Sequence, residues 1–156
     1  MSSELNFQVV PLAEVPLNKL IVQREPPVVL IVDDERVIAD TLSVILTKSG
    51  FAVMTAYDGE TALEFARLIP PELLITDVAM PGMNGIELAI TVVQSIPDCK
   101  VLLFSGQASS IDLLDEARHA GHCFTLLSKP VHPTDLLMRI NEFLNRGAIV
   151  AKEPVA

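Results

Sequence analysis

Two short apolar runs, each ending on carboxylates, constrain the fold of this chain more than any other feature. Val28-Val29-Leu30-Ile31-Val32 runs into Asp33-Asp34, and Leu73-Leu74-Ile75 leads through Thr76 into Asp77. Continuous apolar runs of this length read as buried strands. A carboxylate at the carboxyl end of such a strand is not needed for packing. It stands at the edge where open α/β sheets bind their ligands. A tight loop follows Asp77, Val78-Ala79-Met80-Pro81-Gly82-Met83-Asn84-Gly85. If the two strands are parallel neighbours, three carboxylates converge on one spot. That geometry needs a cation and suggests phosphate chemistry.

The rest of the chain supplies the matching elements. Strands are expected at about 28–32, 51–55, 72–76, 100–104 and 123–127. Helices are expected at about 35–49, from Asp58-Gly59 to Pro70-Pro71, and at about 85–95, 109–120 and 133–145. Their apolar faces carry Ile38, Leu42, Ile45 and Leu46, then Leu63, Ala66 and Ile69, then Ile86, Ala89, Ile90 and Val93, and last Leu136, Leu137, Ile140 and Leu144. Gly50 and Gly121 serve as helix stops. Strict alternation with one helix per crossover calls for a doubly wound five-stranded parallel sheet, covered on both faces.

Residues 1–27 form an N-terminal extension with four prolines, residues 28–146 the domain, and residues 147–156 a C-terminal tail. The apolar content of the extension (Leu5, Phe7, Val9, Val10 and others) is high for a free tail, so docking along the domain or a partner is expected. The chain holds 156 residues, one ordinary domain with short appendages. A net charge of -9 gives no basic stripe for a phosphate backbone, so no nucleic-acid partner is expected. No apolar stretch is long enough to span a membrane and no signal peptide is visible, so a cytoplasmic location is expected. Cys99 and Cys123 are too few for a disulfide framework and read as reduced. His119, His122, Cys123 and His132 match no recognised zinc spacing.

Four strand ends carry chemistry: Asp33-Asp34, Asp77, Ser105 and Lys129-Pro130. In a parallel sheet all four lie on one edge. Carboxylates about 4 Å apart repel by about 4 kcal/mol per pair at an effective dielectric of 20. A hard divalent cation such as Mg²⁺ relieves this through oxygen ligands. Asp77 can then act as a nucleophile toward activated phosphorus, with Lys129 as a point charge and Ser105 as a hydroxyl for phosphate oxygens. Each position also has a plainer reading: Asp34 as a helix N-cap, Asp77 and Ser105 as turn residues, Lys129 as a solvated charge, Pro130 as a loop stop.

Val-Asp-Asp-Glu at 32–35, Asp-Val-Ala-Met-Pro-Gly-Met-Asn-Gly at 77–85, Phe-Ser-Gly at 104–106 and Ser-Lys-Pro at 128–130 together resemble the receiver domain of two-component response regulators, over about residues 28–146. The resemblance implies a flavodoxin-like fold with strand order 2-1-3-4-5. It implies that Asp77 accepts a phosphoryl group from a sensor histidine kinase or phosphotransfer protein. It also implies that Asp33, Asp34, Asp77 and the backbone carbonyl of Ala79 hold Mg²⁺, that Ser105 and Lys129 grip the phosphate, and that the Lys129-Pro130 bond is cis. Such a domain is a phosphoacceptor switch rather than an enzyme.

One departure stands out. Receivers commonly carry Tyr or Phe three residues before the lysine, and here that position is Leu126, with Phe124 two residues earlier. The segment from Ala120 to Lys129 also reads about one residue longer than usual. Either Leu126 or Phe124 serves as the switch residue, and the sequence does not choose. The expected function is a stand-alone receiver acting on a separate, unidentified downstream protein. Oligomeric state is open, with pairing through helices 4 and 5 a homodimer known among receivers. One rival is a metal-dependent phosphatase, but such enzymes usually place a second Asp two residues after the nucleophile, where this chain has Ala79. A second rival is a receiver fold that binds partners without control by phosphorylation.

Overall fold

The computed structural model describes residues 25–106 and 110–145. Ten elements alternate along them: β1 (Val28–Val32), α1 (Arg36–Lys48), β2 (Ala52–Ala56), α2 (Gly59–Leu68), β3 (Leu73–Asp77), α3 (Gly85–Ser95), β4 (Lys100–Ser105), α4 (Ser110–His119), β5 (Thr125–Ser128) and α5 (Pro133–Asn145). The strands are all parallel and lie in the order β2-β1-β3-β4-β5, the expected doubly wound sheet.

Successive strand residues point to opposite faces, and each face collects its own core. Leu30, Val32, Leu74 and Leu103 pack with Ala62 and Ala66 of α2, Leu88, Ala89 and Val92 of α3, and Ala117 of α4. Val29, Ile31, Leu73, Ile75, Leu102 and Phe104 pack on the other face with Ala39 and Leu46 of α1 and Leu136 and Ile140 of α5. The central strands β1, β3 and β4 are therefore buried almost throughout, whereas the edge strands β2 and β5 are only half-buried over most of their length.

Local chemistry explains the helix ends. The Asp58 side chain caps α2 by accepting from the Thr61 backbone N–H at 2.7 Å. Asn84 and Glu87 form a reciprocal capping box at the start of α3, Asn84 Oδ1 accepting from Glu87 N at 2.9 Å and Glu87 Oε2 from Asn84 N at 3.3 Å. Gly50 and Gly121 follow α1 and α4 at positive φ, as expected of helix stops.

Some expected boundaries move. The second strand lies one residue later than expected, and the third runs to Asp77 itself, so Asp77 is the strand's last residue rather than the first beyond it. The fifth strand begins at Thr125 instead of Cys123, which leaves Phe124 in the preceding loop. Ile69, expected on the buried face of α2, is the C-cap and 52% exposed, because the helix stops at Leu68 ahead of Pro70-Pro71. The expected docking of residues 1–27 falls almost wholly outside the described residues, and the 147–156 tail entirely so. Cys99 is buried and Cys123 exposed, both as free thiols. No helix among the described residues is long and apolar enough to cross a membrane.

Candidate functional site

Parallel pairing brings the ends of β1, β3, β4 and β5 to one edge of the sheet. The register sets Val32 beside Thr76, Asp77 beside Phe104, and Ser105 beside Ser128. Backbone hydrogen bonds carry the pairing past the strand ends: Val78 N–H donates to the Phe104 carbonyl at 2.9 Å, and Lys129 N–H to the Ser105 carbonyl at 2.9 Å. The backbone pairing thus extends one residue beyond β3 and β5.

The three expected carboxylates meet there. One oxygen from each of Asp33, Asp34 and Asp77 lies within 4.8 Å of the other two. Asp33 and Asp77 are buried and Asp34 is exposed. The N-cap reading of Asp34 is not realised, since Glu35 holds that position and makes no side-chain cap. Asp33 is instead tied by its neighbour, its Oδ1 accepting from the Glu35 backbone N–H at 3.0 Å.

Lys129 is no solvated charge. Its Nζ donates to Asp33 Oδ2 at 2.8 Å and lies 3.4 Å from Asp77 Oδ2, with the side chain only 19% exposed. Its peptide bond to Pro130 is cis. Burial pushes the Asp77 carboxyl above the usual carboxylate range. The Lys129 charge opposes that push, while Asp33 and, more weakly, Asp34 add to it. Burial also works against the Lys129 ammonium, but its hydrogen bond to Asp33 and the charges of Asp33 and Asp77 outweigh it, and its pKa rises.

The loop after Asp77 is shaped by a contact of backbone on backbone. A Cβ on Gly85 would sit 1.9 Å from the Asp77 carbonyl oxygen, so only glycine lets α3 begin this close to β3. Gly85 N–H donates to the Val78 carbonyl at 2.9 Å, and the Thr76 hydroxyl donates to the Asp77 carbonyl at 3.0 Å. Ala79 is exposed, two residues beyond Asp77.

Ser105 ends β4 as a buried residue, and its hydroxyl is hydrogen-bonded to that of Ser110, the equally buried first residue of α4. Ser110 is the site-edge residue that sequence reasoning missed. A serine at a helix start gives no sign of whose hydroxyl it will meet. Leu126 and Phe124 both face the α2–α3–α4 side of the sheet, each partly buried, and the Phe124 ring stacks on His122 with centroids 5.9 Å apart.

The family model for the response regulator receiver domain matches residues 29–141. The alkaline phosphatase synthesis transcriptional regulatory protein PhoP of Bacillus subtilis is 31% identical over 123 residues, 79% of this chain and 50% of that protein. The DNA-binding response regulator MtrA of Mycolicibacterium smegmatis is 27% identical over 119 residues, 76% of this chain and 51% of that protein. The chain thus spans about half the length of these curated relatives. Their names give no support to the expectation of no nucleic-acid partner: an acidic charge read from this half does not bear on what a relative's other half binds. Among solved structures, a CheY-like receiver domain protein from Methanospirillum hungatei matches with a TM-score of 0.71 and 31% identity, covering 77% of this chain and 94% of its own. The fold order, the motifs at the sheet edge and the family match agree, and the chain belongs to the response regulator receiver domain family.

Proposed function

We propose that this chain is a phosphorylation-controlled switch in which Asp77 accepts a phosphoryl group from a sensor histidine kinase or a phosphotransfer protein. The observation that carries the reading is the meeting of Asp33, Asp34 and Asp77 within 4.8 Å, with Lys129 reaching two of them. Three carboxylates are the hard oxygen donors that Mg²⁺ selects, and burial of two of them makes their mutual repulsion costly without a cation, so the donor set fits. Asp33, Asp34, Asp77 and the Ala79 carbonyl would hold the ion. Bound there, Mg²⁺ would supply positive charge to phosphate oxygens.

The chain's own residues do the rest. A carboxylate oxygen of Asp77 forms the new P–O bond as the P–N bond of the donor phosphohistidine breaks, and the imidazole leaves with its electron pair. Lys129 opposes the hold on a proton that burial gives Asp77, then moves its charge onto a phosphate oxygen. Ser105 donates its hydroxyl to another. The receiving surface is that of α4, β5 and α5, and a separate protein reads it, in the cytoplasm where receivers typically act. The absence of an acid at position 79 leaves no proton donor for turnover of external phosphomonoesters, which separates this reading from a phosphatase.

Beryllofluoride with Mg²⁺, followed by fluorine NMR, tests the proposal. Binding by the native chain that is abolished in Asp77→Asn is expected, and binding that survives the substitution overturns it. The aliphatic Leu126 favours a second reading, a receiver fold whose partner binding ignores phosphorylation. Partner affinity unchanged by beryllofluoride would select it.

A further inference from the structure

We propose that Leu20-Ile21-Val22 of the N-terminal extension docks into the apolar groove between the carboxyl-terminal halves of α2 and α3, so that the chain covers this face itself. The inference is independent of the role of Asp77. The groove has a volume of about 230 Å³. Leu63 and Ala66 of α2 line one side and Val92 and Ile96 the other, with Pro70 and Ser95 on the rim. Ala66 and Val92 are buried, Leu63 and Ile96 half-buried, and both rim residues exposed. At the same end of α2, Leu68 is 79% exposed and Ile69 52%. Apolar surface gathered in one place marks an interaction site, which scattered single residues do not.

The occupant follows from where the extension joins the domain and from what it carries. All five strands are parallel, so β1 starts at the sheet edge where α2 and α3 end. Glu72 N–H donates to the Val28 carbonyl at 2.9 Å, and Pro70 on the rim precedes Glu72 by only two residues. Leu30 and Val32 point to the α2–α3 face, and the period of the strand puts Val28 on that face too. Residues 1–24, outside the described residues, therefore enter the domain beside the groove. Leu20-Ile21-Val22 is their continuous apolar run nearest to β1. From Val22 to Pro27 the extended chain reaches up to about 17 Å. Closing so short a loop costs less entropy than docking Val9-Val10, much further along the chain. Pro26 and Pro27 lower that cost again by restricting the connection.

The test is NMR on the full chain. Ile21→Asp, which places a charge in the docked run, should shift the methyl signals of Leu63, Val92 and Ile96, while Val9→Asp leaves them in place. A nitroxide on Ser95→Cys, with Cys123→Ser removing the exposed native thiol, should broaden the amide signals of Leu20, Ile21 and Val22. Ile21→Asp should relieve that broadening. Groove methyl signals unmoved by Ile21→Asp, equal shifts from Val9→Asp, or no broadening of residues 20–22 each overturns the inference and leaves the groove to a separate partner. In a mixture of nitroxide-bearing chain with isotope-labelled, nitroxide-free chain, no broadening is expected. Broadening there assigns the groove to the extension of a second copy and overturns docking within one chain.

Discussion

Asp77→Asn should make the chain more stable at neutral pH in the absence of divalent cations. Two Coulomb effects nearly cancel at this residue. The Lys129 ammonium at 3.4 Å attracts the ionised carboxylate by about 5 kcal/mol at an effective dielectric of 20. Asp33, with its oxygen up to 4.8 Å away, repels it by about 3.5 kcal/mol on the same scale. The surplus of about 1.5 kcal/mol in favour of the charge is smaller than the several kcal/mol that burying an ion costs. The direction of the Asp77 pKa, above the ordinary carboxylate value with burial as the leading cause, says the same. An amide of the same shape removes the ion and leaves Lys129 paired with Asp33 at 2.8 Å. A gain of about 1–2 kcal/mol follows, or roughly 2–8 °C in Tm for a chain of this size.

The sign with pH follows from linkage. The folded state holds the Asp77 proton to higher pH than the unfolded chain does. This group therefore favours folding in acid and loses that contribution as pH rises through its folded pKa. The advantage of Asp77→Asn should be largest near pH 7 and shrink toward pH 4. Thermal melts by circular dichroism in EDTA, across that range, measure it. Adding Mg²⁺ at ten times its Kd should raise the native chain by about 1.4 kcal/mol and the variant by less than half as much. A variant that melts below the native chain at pH 7 in EDTA, or that gains equally from Mg²⁺, would refute the account of a charge cluster held under repulsion.

Lys129→Met should act in the opposite sense. With Asp33 and Asp77 left facing each other, stability at pH 7 should fall by about 1–3 kcal/mol and Asp77 should titrate at still higher pH, as read by urea denaturation and carboxyl NMR. An Asp77 titration unmoved by the loss of the lysine would count against the ion pairs of Lys129 with Asp33 and Asp77. Gly85→Ala should cost about 3 kcal/mol or more, because the new methyl meets the Asp77 carbonyl rather than a movable side chain. A native urea midpoint would show that α3 can back away from β3 at little cost.

Much of the sheet edge was legible because it is written in local sequence. Val28–Val32 and Leu73–Asp77 are short, continuous and apolar, and a parallel sheet is the only common home for several such runs separated by single helices. Once parallel, the strands put Asp33, Asp34, Asp77 and Lys129 on one edge by topology alone. Legibility failed where tertiary contacts decide. The start of β5 was expected at Cys123, but this edge strand has a neighbour on one side only, and its pairing with β4 begins at Thr125 opposite Leu102. Ile69 has the right spacing for the apolar face of α2 yet lies past the last helical turn. The contact of Ser105 with Ser110 was invisible, since no periodicity links the last residue of β4 to the first of α4.

The position of Leu126 shows how a receiver site and its readout separate physically. Phosphoryl chemistry needs charge and hydroxyls at the strand ends, and these are held by backbone register, which an aliphatic residue within β5 leaves untouched. Readout needs a side chain that gains by moving. A ring with a polar tip can exchange one hydrogen-bonded pocket for another, whereas an isobutyl group offers only a change in buried apolar area. For a residue already half-buried, that change is a fraction of the roughly 1.5–3 kcal/mol that full burial of a leucine provides. Phe124 faces the same side of the sheet, but it lies before β5 and stacks on His122, five residues from Lys129. A ring anchored there answers to the loop rather than to the phosphate. Neither Leu126 nor Phe124 thus brings to the Asp77 edge the polar tip that such a readout uses.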